Sequence, residues 1–115
     1  MQSVKCPRGI MIGNCPKKID GAKVIAYAIV SPENFHTGNT EQIVAGETKG
    51  TATAMIITQY QDDQSYYVFG CYSQEWATET DTWHEDLEDA VEQLDWEYKN
   101  LSENLVWYAK PESNT

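Results

Sequence analysis

The sequence predicts an α+β domain: a single antiparallel β-sheet of three to five strands, in meander order, packed against one amphipathic helix in the C-terminal half. Three observations predict it. Apolar, β-branched runs separated by turn residues recur across residues 22–72, and one helical stripe follows at 86–102. At 115 residues the chain is long enough for one core and too short for two. A single domain over 1–115 is therefore expected.

Residues 1–22 are broken by Pro7, Gly9, Gly13, Pro16 and Gly21, which predicts an irregular arm, and Lys5, Arg8, Lys17 and Lys18 make it basic. Ala22 to Val30, AKVIAYAIV, is nearly all apolar, the pattern of a strand covered on both faces. SPEN turns the chain, EQIVAG offers a short weak strand, and Thr51 to Tyr60 reads as the next full strand. QDDQ has the composition of a hairpin loop, and Ser65 to Tyr72 returns as its antiparallel partner. Alternation there puts Tyr67, Phe69 and Cys71 on one face and Tyr66, Val68 and Tyr72 on the other.

SQEWATETDTW, Ser73 to Trp83, is polar apart from two indoles, with Thr80, Thr82 and Trp83 favouring extended backbone. The helix then starts either from Thr82 with Glu85 as a capping box or, preferably, from Asp86 with Asp89 three residues on. With Leu87 at the origin and about 100° per residue, Ala90, Val91, Leu94, Tyr98 and Leu101 lie within roughly 60° of it. Trp96 falls at about 180°, opposite that stripe, with Glu92 and Lys99 beside it on the helix surface. LVWYA at 105–109 can form a last strand.

The net charge is −10, and it is unevenly spread. Residues 75–97 hold ten carboxylates and no Lys or Arg, whereas residues 1–23 hold five cations against Asp20. Such a field repels nucleic acid and anionic membrane and draws in basic proteins. No apolar run reaches the ~18 residues of a membrane span, and the first residues lack the apolar core of a secretory signal, so a cytoplasmic protein is expected. The odd cysteine count, Cys6, Cys15 and Cys71, fits that compartment, although a Cys6–Cys15 bridge would be open to an exported chain.

Phosphate-loop, dinucleotide and hydrolase-elbow motifs are all absent. Cys71 lies in an aromatic strand, where a cysteine is ordinarily a small core residue and not a nucleophile. Asp81, His84 and Glu88 bring carboxylate and imidazole together near the helix start, which makes them the alternative, metal-binding set. Their spacing matches no zinc or calcium motif. No enzyme and no cofactor are expected.

What remains is a surface. An indole ringed by carboxylates has the composition of an interface anchor with a charged rim. Glu85, Asp89, Glu92, Asp95 and Trp96, with Trp83 nearby in sequence, form the candidate partner-binding set. The competing possibility is that the chain's own arm covers Trp96, with Ile10 or Met11 on the indole and Lys17 or Lys18 pairing with the acids.

The run YYVFGCYSQEWATETDTWHEDLEDAVEQLDWEY, Tyr66 to Tyr98, resembles the end of a loosely defined group of small acidic bacterial proteins, some of which are similar to immunity proteins of polymorphic or contact-dependent toxin systems. Many members of that group have no known role; the one-sign segment 75–97 and Trp96, beside the resemblance, lead to the expectation of a non-enzymatic, immunity-type inhibitor that neutralises a basic toxin domain, as a monomer or homodimer. A metal-binding or homo-oligomeric structural protein is the alternative.

Overall fold

The computed structural model describes residues 13–38, 43–44, 47–48 and 50–108. The expected class holds: one antiparallel sheet carries one helix in the C-terminal half. Its strands are β1 (Lys18–Ile19), β2 (Ala22–Ile29), β5 (Ala54–Gln59), β6 (Tyr66–Cys71), β7 (Thr78–His84) and β8 (Val106–Trp107). Their order is β1-β2-β5-β6-β7, and β8 pairs with β2. A small hairpin, β3 (Ile43–Val44) within EQIVAG and β4 (Glu47–Thr48) just after it, forms a separate small sheet. Among the described residues no helix is long and apolar enough to cross a membrane.

The sheet separates two cores, as the alternation in β6 predicts. On one face Val68 joins Ile25, Ala28, Met55 and Ile57, and the helix α1 (Leu87–Glu97) closes this layer with Ala90 and Leu94, followed in sequence by Tyr98 and Leu101. Leu87 and Val91 pack at its margin. On the other face Phe69 and Cys71 join Cys15, Ile19, Val24, Ala54 and Ile56, with Tyr27, Tyr60, Tyr67 and Trp76 around them. Each buried leucine or isoleucine contributes about 1.5–3 kcal/mol, which makes the two faces the main stabilising term. Gly70, opposite Thr80, lacks the β-carbon that would collide with the Thr80 hydroxyl and crowd the Tyr72 ring.

Three sequence expectations change. Residues 18–22 are not irregular: Lys18–Ile19 pairs with the start of β2 through a turn in which Asp20 and Gly21 both take positive φ. The meander does not stop at residue 72: Thr78–His84, where Thr80, Thr82 and Trp83 favour extended backbone, pairs along the whole of β6. Thr80 and Thr82 half-bury on the helix side while Glu79, Asp81 and Trp83 stay outside, so polar residues suffice for an edge strand.

The helix also ends earlier than 102. Asp86 caps its start, its carboxylate accepting from the Asp89 N–H at 2.8 Å, but Tyr98 is already extended and Asn100 is left-handed at φ 57°. A 3₁₀ turn, Leu101–Asn104, follows. The cause is distant in sequence. The loop after β2 docks on the helix C-terminus: the Thr37 N–H donates to the Glu97 carbonyl, the Thr37 hydroxyl to the Trp96 carbonyl, and the Lys99 N–H to the Phe35 carbonyl. The two Thr37 bonds use carbonyls, and the third an N–H, that a longer helix would have satisfied internally.

Candidate functional site

His84 is the residue through which β7 meets the helix. It is 4% exposed, and both ring nitrogens are engaged: Nδ1 lies 2.7 Å from Asp89 Oδ2 and Nε2 lies 2.7 Å from the Thr82 hydroxyl. A carboxylate only accepts, so Nδ1 carries the proton and donates to Asp89. In the neutral ring Nε2 then accepts from Thr82. The imidazole is thus a strut between edge strand and helix.

Asp89 has a second role. Its side chain is 56% exposed and, with Glu92, Gln93 and Trp96, lines an open hollow of about 200 Å³ on the outer surface of the helix. Trp96 is 54% exposed there, opposite the buried Ala90 and Leu94, as the angular pattern predicts. Gln93 is a lining residue that the acidic pattern did not single out. Its amide donates to Glu97 Oε2 at 2.7 Å, and Glu97, one of the ten carboxylates of residues 75–97, is 1% exposed. Glu97 sits about 80° from Leu87 on the helical wheel and only about 20° from Ala90, at the margin of the stripe, close enough for the docked loop and sheet to enclose it.

The remaining candidates scatter. Asp95 is exposed, but both its oxygens are bound by Ser102, Oδ1 by the N–H at 2.8 Å and Oδ2 by the hydroxyl at 2.7 Å, so it caps the 3₁₀ turn. Glu85 is exposed at the strand-to-helix junction. Trp83, 57% exposed, is paired with Tyr67 in the sheet and lies between Thr82 and His84 in the strand, which places it on the sheet face away from the helix. It therefore does not share a surface with Trp96. Phe35, 59% exposed, is a further apolar group that the sequence did not flag, and it stands at the C-terminal end of the helix with the Lys99 ammonium 5.6 Å from its ring centre.

The metal alternative is not assembled among the described residues, where no three His, Cys, Asp or Glu side chains are grouped to hold an ion. Asp81 is three residues from His84 on a strand and so faces the other way. Cys15 and Cys71 are free, buried thiols, and burial pushes each up to about 12, so neither is a thiolate nucleophile at neutral pH. Cys6, Ile10 and Met11, and with them the bridge and the proposed cover of Trp96, lie outside the described residues. Lys17 and Lys18 do not join the helix acids. Lys18 is in β1, and the Lys17 ammonium stands 5.9 Å from the ring centre of Tyr108.

No protein-family model, no curated protein and no solved structure matches the chain.

Proposed function

We propose that this chain is a non-enzymatic binding protein whose acidic helix face receives a basic protein partner, most concretely an immunity-type inhibitor of a basic toxin domain. The observation that carries this is the hollow formed by Asp89, Glu92, Gln93 and Trp96: an indole half open to solvent, on a helix whose core stripe is complete without it. An Arg or Lys side chain entering it would meet the indole face and the carboxylates together, a combination stronger than either contact alone. The helix has acids in its first turn and no base in its last, so the surface presents one sign of charge along its length.

The test is co-expression with basic toxin-like proteins encoded beside this chain's gene. Growth rescue and a stable complex support the function. It is abandoned if no such neighbour is bound, or if the double variant Trp96→Ala, Glu92→Lys, shown to keep its melting temperature, rescues as well as the parent.

A further inference from the structure

On the edge of β2, where β1 ends and β8 begins, a second hollow of about 300 Å³ is lined by Lys17, Lys18, Lys23, Val24 and Tyr108. Three features set it apart from a solvated surface. Lys18 and Lys23 are direct cross-strand partners, an arrangement in which like charges repel. Among the described residues none of the three lysines forms an ion pair. Two of the three acids around them are engaged elsewhere, Asp20 accepting from the Thr78 hydroxyl at 2.7 Å and Asp63 from the N–H and hydroxyl of Ser65 at 2.8 and 2.6 Å, while the exposed Asp62 lines the adjoining hollow with Lys18 and Lys23.

The hollow also has a fixed apolar side. Val24 is buried, and the Tyr108 ring is held by its hydroxyl, which donates to the Cys15 carbonyl at 2.6 Å, and by an edge contact with Tyr27 at 5.5 Å between ring centres. We propose that this hollow is an anion-binding site for a phosphate or carboxylate carried on an aromatic body. The ammonium groups neutralise the anion, which in turn relieves the Lys18–Lys23 repulsion. Tyr108 covers the ring, with Val24 fixing the strand beneath it.

Phenyl phosphate, benzoate and inorganic phosphate are the probes, titrated against the full chain by amide NMR and by thermal melting. The aryl anions should shift the resonances of residues 17–24 and 108 together, and phenyl phosphate should bind about tenfold tighter than inorganic phosphate because of the buried ring. Lys18→Gln and Lys23→Gln should each weaken binding about two- to fivefold, as exposed charge pairs do. Both variants should melt no lower than the parent without anion, since each removes a like-charge contact. The proposal fails if the shifts are dispersed over the surface, if the variants bind as well as the parent, or if phenyl phosphate has no advantage. It also fails if low-salt sedimentation shows the lysines occupied by the acidic face of a second copy.

Discussion

Asp89 Oδ2 and His84 Nδ1 lie 2.7 Å apart, and this one contact ties the edge strand β7 to the first turns of α1. It also couples the scaffold to the candidate binding hollow, because the same carboxylate lines it. Removing either partner separates the two roles. His84→Ala leaves a buried gap and should cost about 2–3 kcal/mol, whereas Asp89→Asn, on an exposed side chain, should cost about 1 kcal/mol. Urea unfolding of the two variants checks the order. Equal losses would mean that the pair, and not the burial of the ring, sets the stability.

Asn34 should prove the more sensitive polar position. It is 5% exposed, its Oδ1 accepts from the Ser31 N–H, the Ser31 hydroxyl and Asn104, and its Nδ2 donates to the Lys99 carbonyl at 2.8 Å. Asn34→Ala breaks all four bonds and leaves buried groups unpaired, for a loss of about 2–4 kcal/mol. Asn34→Asp keeps the acceptors but turns a donor into an anion facing the Lys99 carbonyl, so it should also destabilise. Hydrogen exchange would show residues 98–104 opening first.

Much of this was legible in the sequence where the signal was local. The two faces of β6, the Asp86 cap and the position of Trp96 follow from periods of two and 3.6 residues within one segment. The end of the helix did not follow, because Thr37 and Phe35 impose it from about 60 residues away. The split between Trp83 and Trp96 has the same origin. Thirteen residues apart, with acids between them, the two indoles read as one surface in the sequence, and only the pairing of β7 with β6 places one of them behind the sheet. Asp95 looked like a free acid because its partner, Ser102, becomes adjacent only when the helix stops early.

Alkaline stability should be governed in part by the buried thiols. Cys15 and Cys71 are pushed from 9.0 up to about 12, so their contribution is complete below pH 9 and is lost as the pH rises toward 12, where the unfolded chain ionises first. The slope is at most about 1.4 kcal/mol per pH unit for each thiol. Melting curves from pH 8 to pH 11 should fall more steeply for the parent than for Cys71→Ala. Parallel curves would exclude a thiol contribution.

Core and surface residues of the helix should respond to clearly different degrees. Leu94→Ala removes a fully buried side chain and should cost about 2–5 kcal/mol. Trp96→Ala, at a side chain 54% exposed, should cost clearly less. If the two losses were equal, Trp96 would belong to the structure and not to a binding surface.

The decisive measurement is the affinity of the chain for a basic toxin-like protein encoded beside its gene, by calorimetry at low and high salt, with Trp96→Ala alongside the parent. An anchor at the centre of a charged interface should lose about 30-fold or more in affinity on truncation, and parent binding should weaken as salt rises. Unchanged affinity for Trp96→Ala, with no dependence on salt, would contradict a docking role for the acidic helix face.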